Sequence, residues 1–280
     1  MKVFVFAYDR FDSMSTSTML EAEGIDHVVL CHTQDAADRF VEEGTARRDR
    51  LVVTDQPRGL AYNRNVALDS MEHGEWALFL VDDLRSVTEV VGYDELRAVR
   101  QLTVGITMDN QSTKAHLFDG PCTMRRFVDE HAVEVAERCE KIGARLGGFA
   151  GIANPIYRDR KWKHNVLADG RAIVVRRSHL RFDEHAQLID DLAWTADNIA
   201  EFGVMTINQW VLPDCRRYTA GGFGSIDQRM PQKLEEAAYL VRKHPGLIGF
   251  KKKAGWPDRS HVALRRRIDG RQRKQLEQVP

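Results

Sequence analysis

WALFLVDDL, residues 76–84, sets an apolar run of strand length against two adjacent carboxylates, Asp82 and Asp83. A continuous run of bulky apolar side chains reads as a strand buried on both faces, the kind that belongs to a parallel sheet. Neighbouring carboxylates repel each other, so a strand that ends on such a pair needs a reason. In open α/β sheets, ligands bind beyond the carboxyl ends of the strands. Carboxylates placed there chelate a hard divalent cation, which in turn neutralises a diphosphate. The simpler reading is that one Asp caps the following turn through its side chain while the other faces solvent.

The same patterning extends in both directions. Val3–Tyr8 (VFVFAY), Asp26–Cys31 and Arg50–Thr54 read as strands, and Thr18–Glu23, Ala36–Glu43 and Leu60–Met71 as helices between them. Strand and helix alternating at short spacing predicts an α/β fold, with a mostly parallel central sheet and helices on both faces. Right-handed crossovers then bring the ends of strands one, three and four near one another. Downstream, Phe127–Leu146 reads as an amphipathic helix broken by Gly147–Gly151 (GGFAG). Arg171–Arg176 reads as a strand, Leu188–Phe202 as a helix capped by Gly203, and Met205–Leu212 as a strand. Tyr218–Ser225 is a glycine-rich loop. There is no internal repeat, and the division near residue 120 reads as two halves of one fold.

Bulk properties narrow the setting. The 280 residues are 43% hydrophobic, enough for a substantial core. The formal charge is zero, with 41 bases and 41 acids, but residues 251–280 hold ten bases against three acids. The tail is thus +7 and residues 1–250 are −7. Such a split points to a polyanionic partner for the tail, or more simply to a solvated C-terminal helix. Cys31, Cys122, Cys139 and Cys215 are scattered without a CxxC pair, which argues against a structural zinc site. Neither a signal peptide nor a membrane-spanning run is evident, so a reducing, cytoplasmic setting is expected.

Three further stretches belong with the acidic strand end. In GLAYNRNVAL (59–68), a glycine precedes a helix carrying Asn63, Arg64 and Asn65, groups suited to a nucleotide and its phosphates. FDEHAQLIDDLAW (182–194) holds a second acidic pair, Asp190 and Asp191; a carboxylate near the sheet rim could take a proton from an acceptor hydroxyl. The plainer reading puts that pair in the first turn of a helix, where negative charge is favoured. AYDRF (7–11) places Tyr8 and Arg10 at the end of strand one.

This order of elements resembles the GT-A class of nucleotide-sugar glycosyltransferases, through AYDR (7–10), GLAYNRN (59–65), LVDDL (80–84) and IDDLAW (189–194). More narrowly, the chain is similar to the TET-associated glycosyltransferases of tailed bacteriophages and, more distantly, to the base J glucosyltransferase. AYDRFDSMSTSTMLEAEGI (7–25), RGLAYNRNVALDSMEHGEWALFLVDDL (58–84) and RFDEHAQLIDDLAWTADNIAEFG (181–203) carry that likeness. The resemblance implies a GT-A-like nucleotide-diphospho-sugar transferase domain over 1–225. Within it, 1–120 is the nucleotide-binding half and 121–225 the acceptor half, and 226–280 is a basic extension. It implies Mn²⁺ or Mg²⁺ held by Asp83 with Asp82, although VDDL is not a strict DxD. The third ligand in this class is often a C-terminal His, for which His244 and His261 are candidates. It implies a UDP-sugar donor contacted by Tyr8, Arg10, Asn63, Arg64 and Asp82, and Asp191 or Asp190 as general base in an inverting transfer. The acceptor would be hydroxymethylated pyrimidine in DNA, 5-hydroxymethylcytosine made by a TET-type oxygenase, in a phage-infected bacterial cell.

The basic tail agrees with a DNA acceptor. KKKAGW (251–256) offers Lys251, Lys252 and Lys253, and RRRIDGRQRK (265–274) offers Arg265, Arg266 and Arg267, to neutralise phosphates without reading sequence. Trp162, Phe149 and Phe223 are available to stack on a base; the simpler reading of each is core or loop. Competing functions are a glycan or polypeptide acceptor, a nucleotidyltransferase, and a non-enzymatic DNA-binding module. The nucleotidyltransferase is disfavoured because AYDRFDSMSTS lacks the glycine-rich loop that such enzymes carry after strand one.

Overall fold

The structure, a computed structural model, describes residues 1–7, 11–12, 14–54, 59–92, 119–151, 158, 160–215, 226–252 and 261–265. In chain order the elements are β1 (Lys2–Phe6), α1 (Ser15–Ala22), β2 (Val28–Cys31), α2 (Gln34–Glu42), β3 (Leu51–Val53), α3 (Leu60–Asp69), β4 (Trp76–Val81), β5 (Leu84–Val90) and β6 (Asp119–Cys122). A short α turn (Met124–Arg126) and a π-helical stretch (Phe127–Ala132) lead into α4 (Val133–Ile142). There follow β7 (Leu146–Phe149), β8 (Trp162–His164), β9 (Ala172–Arg176), α5 (Asp190–Phe202), β10 (Thr206–Asn208), β11 (Val211–Cys215), α6 (Ile226–Lys243), β12 (Ile248–Phe250) and β13 (Val262–Leu264).

Among the described residues, eight strands form one mixed sheet in the order β3-β2-β1-β4-β9-β7-β10-β8. Six strands run one way; β9, between β4 and β7, and β8, at the edge, run the other. Because β2 separates β3 from β1, only the ends of β1 and β4 adjoin, with Phe6 opposite Val81. The expected gathering of strands one, three and four is therefore corrected to one and four.

Alternation inside the apolar strands divides the core. Val3, Val5, Leu78 and Leu80 face α1, α2 and α4 through Leu20, Phe40 and Val135. Phe4, Phe6 and Phe79 face α3, α5 and α6 through Leu68, Trp194 and Leu240. Both faces of the sheet are thus covered, which is why WALFLV shows no polar positions.

The glycines after the predicted long helix do not merely break it. Gly147 and Gly148 lie inside β7, where a Cβ on Gly147 would stand 2.2 Å from Val135 Cγ1. Here glycine is the space that lets α4 lie close to the sheet. The predicted strand Met205–Leu212 is two strands. Asn208 Oδ1 accepts from the N–H groups of Trp210 (2.9 Å) and Val211 (3.0 Å), and this turn carries the chain from the central sheet into a second, three-stranded sheet, β11-β5-β6. Part of the C-terminal region is built into the body: Leu240, Leu247 and Ile248 join the same core cluster as Phe79. Among the described residues, no helix is long and apolar enough to cross a membrane.

Candidate active site

Asp82 and Asp83 close β4 at the carboxyl edge of the sheet. The turn is held from both sides. Thr16 Oγ1 donates to Val81 O (2.7 Å) and accepts from Leu84 N–H (2.9 Å), Thr16 N–H donates to Asp82 O (3.1 Å), and Ser15 Oγ donates to Leu84 O (2.5 Å). The start of α1 therefore fixes the acidic turn. Neither carboxylate faces solvent: the two residues are 4% and 3% exposed. This overturns the simpler reading that one of them is a surface turn residue.

Across from this turn lies Asp169-Gly170-Arg171, of which sequence patterning noted only Arg171, as the start of a strand. Val81 N–H donates to Arg171 O (3.1 Å), which joins it to the end of β4. Arg171 forks onto Asp169, Nε to Oδ1 at 2.7 Å and Nη2 to Oδ2 at 2.8 Å, and its Nη1 reaches Pro213 O (3.0 Å) on β11. Gly170 is tightly enclosed: a Cβ there would lie 3.3 Å from both Arg64 Nη2 and Asp191 Cβ. The one available signal was the Asp-Gly turn dipeptide just before the predicted strand RAIVVR.

The second acidic pair opens α5 from the other side of Gly170. Asp190 is buried and ion-paired with the buried Arg64, whose Nη2 also donates to Gly170 O (3.0 Å). The Arg64 guanidinium lies over the rings of Phe6 and Phe182, 5.6 and 5.2 Å from their centroids. The expected cation for a nucleotide is thus engaged inside the protein. Among the described residues Asp191 is in no ion pair. Burial, then the neighbouring Asp190 and Asp169 charges, push it up to about 7, although the Arg64 charge also pulls its affinity for a proton down, while Leu192 N–H donates to its Oδ1 at 2.7 Å. Burial likewise raises Asp190, against the pull of Arg64. Asp190 is ion-paired with Arg64, whereas Asp191 is poised to exchange a proton near neutral pH.

The remaining predicted contacts divide. Asn63 is buried, accepting from the Thr54 hydroxyl (2.9 Å) and facing His32 Nδ1 (3.3 Å), beyond the ends of β2 and β3. Asn65 is a tie, exchanging hydrogen bonds with the backbone of Phe182 at 2.8 and 2.9 Å. Gln187 Oε1 accepts from Ala61 N–H (3.2 Å) in the first turn of α3, where Gly59 stands at φ +90°. That helix start is therefore closed over by a side chain rather than open to a phosphate. His244 lies 3.0 Å from Asp197, beside the Lys243–Asp183 ion pair that joins α6 to the body. Phe149 is buried against Phe127, and Trp162 packs edge-on against Trp210, so the simpler reading holds for both. Lys251 and Lys252 are exposed at one end of the β12–β13 hairpin and Arg265 at the other. Tyr8, Arg10, Phe223, Lys253, Arg266 and Arg267 lie outside the described residues.

For a divalent cation, Asp82 and Asp83 offer only carboxylate oxygen. That suits Mg²⁺ or Mn²⁺, which are usually held by one or two carboxylates together with substrate phosphates. Among the described residues, three potential ligands come within 4.8 Å of one another only elsewhere, at buried Glu89, Cys122 and His131, a group that could hold a metal ion. Burial lowers the affinity of His131 for its proton, but Cys122, Glu134 and Glu89 outweigh it and hold the imidazole up at about 10. Comparison with models of known protein families and with curated proteins found no match to this chain.

Proposed function

We propose that this chain is a GT-A-type glycosyltransferase of the TET-associated kind, which moves a sugar from a UDP-sugar to 5-hydroxymethylcytosine in DNA. The observation that carries this reading is the pairing of two acidic dipeptides across the Asp169–Arg171 turn, with Asp190 neutralised by Arg64 and Asp191 left near neutral affinity for a proton. The strand order, with β4 central and its end acidic, agrees with such a fold.

Asp191 accepts the proton of the acceptor hydroxyl as that oxygen attacks the anomeric carbon. The carbon–oxygen bond to the diphosphate breaks, UDP leaves with the electron pair, and the anomeric centre inverts. A base with affinity near the working pH is suited to this transfer. Arg64 and Gly170 hold Asp191 in place through Asp190 and the backbone. Asp83 and Asp82 would hold Mn²⁺ or Mg²⁺, which when bound supplies charge neutralisation at the diphosphate. Asn63 and Thr54 lie at the ends of β3 and α3, beside the proposed nucleotide position. The acceptor class rests on the basic C-terminal residues, Lys251, Lys252 and Arg265 among them.

The test is mass spectrometry of hydroxymethylated DNA incubated with the protein, Mn²⁺ and a panel of UDP-sugars. A gain of one hexose or acetylhexosamine on the base is expected. UDP release with no gain on DNA would move the acceptor to a glycan or protein, and neither UDP release nor binding would leave a non-enzymatic module.

A further inference from the structure

The three-stranded sheet carries an ionisable cluster that has no part in the reaction above. Val87 pairs with Cys122 and Glu89 with Gly120, so Glu89 and Cys122 are diagonal neighbours on one face of the β5–β6 ladder. His131 reaches them from the π-helical stretch Phe127–Ala132. A π turn shifts the angular position of its residues relative to an α-helix, and such turns occur often at functional sites. All three residues are buried, at 8%, 8% and 6% exposure, and their ligand atoms lie within 4.8 Å of one another.

We propose that Glu89, Cys122 and His131 bind one Zn²⁺ ion, through Glu89 Oε2, Cys122 Sγ and His131 Nε2, with the fourth position taken by water. The donor set decides the metal. One sulfur, one imidazole nitrogen and one carboxylate oxygen suit borderline-soft zinc, whereas Mg²⁺ and Mn²⁺ favour oxygen. The geometry is close to what zinc requires. Zn–S of about 2.3 Å and Zn–N of about 2.0 Å set tetrahedral ligand atoms roughly 3.3–3.5 Å apart in a site with one sulfur. Glu89 Oε2 and His131 Nε2 stand 3.0 Å from each other, and the Cys122 sulfur lies within 4.8 Å of the ligand atoms of both residues.

The surrounding groups leave the right atoms facing inward. Glu134 Oε2 lies 3.7 Å from His131 Nδ1, and Arg126 Nη1 donates to Glu89 Oε1 at 2.5 Å. A carboxylate on the far nitrogen of a ligating histidine is the usual outer-shell arrangement at zinc. On binding, Cys122 releases its thiol proton and His131 releases the proton that Nε2 shares with Glu89, keeping Nδ1–H toward Glu134. The thiolate and carboxylate then balance the charge of the ion. Zinc here would staple β5 and β6 to the helical segment that begins α4. This inference does not rest on the glycosyltransferase reading.

The test uses the full chain purified without chelator. Elemental analysis is expected to find one zinc per chain. Cobalt titration of the chelator-stripped protein should give a thiolate-to-metal charge-transfer band that is lost in Cys122→Ser and kept in Cys139→Ser. Glu134→Gln should weaken zinc binding by about 10-fold. Because Cys122→Ser could fold poorly, a measurement on the unmodified chain stands beside it: alkylation of Cys122, read by peptide mass spectrometry, should slow at least tenfold when zinc is added. Absence of retained zinc together with no charge-transfer band overturns the proposal. So does an alkylation rate at Cys122 that zinc leaves unchanged.

Discussion

The acidic rim of the central sheet and the mixed cluster on the small sheet solve the same problem in opposite ways. At the rim the acids are neighbours in the chain, Asp82 with Asp83 and Asp190 with Asp191, so like charges are forced together. For the second pair, relief comes to Asp190 from Arg64 and to Asp191 from a proton. On the small sheet the groups come from three separate elements and are complementary. Glu89 there accepts from both Arg126 and His131, so its charge faces opposite charge within the fold. Buried charge that is paired within the fold is suited to a structural role. A buried acid whose proton affinity is raised, as at Asp191, is suited to chemistry.

That contrast can be broken most directly at Asp191. Asp191→Asn should reduce glycosyl transfer on the order of 10²–10⁴-fold while leaving UDP binding by calorimetry nearly intact. Lost UDP binding instead would place this acid in the donor site. The Arg64–Asp190 pair gives the next largest effect. Arg64→Met strands a buried carboxylate and should cost about 3–5 kcal/mol in urea denaturation. A cost near zero would show that Asp190 is relieved by something other than Arg64.

Asp191 also gives the chain a pH signature. Its affinity for a proton is higher folded, about 7, than the ordinary value of 3.8. The folded chain therefore holds the extra proton between those two values, and stability falls as pH rises from about 4 through 7. Asp191→Asn should remove that slope. Above pH 7 it should be more stable than the parent by an amount on the order of 4 kcal/mol, and the two should converge near pH 4. Thermal unfolding across that range reads both. A parent curve without this slope would mean that Asp191 is already neutralised.

Thr16 sharpens the comparison from the other acidic turn. Thr16→Val removes the hydroxyl that bridges Val81 O and Leu84 N–H, and should lower stability by about 1–2 kcal/mol, with a loss of Mn²⁺-dependent UDP binding. Stability lost without any change in that binding would separate the turn from the donor site. The smallest effect belongs to Lys251 and Lys252. Replacing both with Ala should flatten the log–log salt dependence of DNA binding by about 2, with transfer to a free nucleoside acceptor unchanged. An unaltered slope would move the DNA contact elsewhere.

The sequence by itself determined the parts of this protein that are written locally. The apolar run WALFLV reads as a doubly covered strand, and the structure places it as β4 over Trp76–Val81. The acidic pair at its end, the helix opened by Asp190 and Asp191, and the Gly203 cap at φ +78° were legible for the same reason: each depends on residues within one or two turns of the chain. Tertiary structure alone decided which groups meet. Nothing in GLAYNRN announces that Arg64 will turn inward to Asp190, 126 positions away, or that Gly170 will be enclosed by Arg64 and Asp191. Nor does the lack of a CxxC pair reveal that Cys122 shares a face with Glu89, because that depends on strand register. Periodicity fixes which face a side chain takes. Partner identity is set by sheet order and packing, which join residues that the chain keeps far apart.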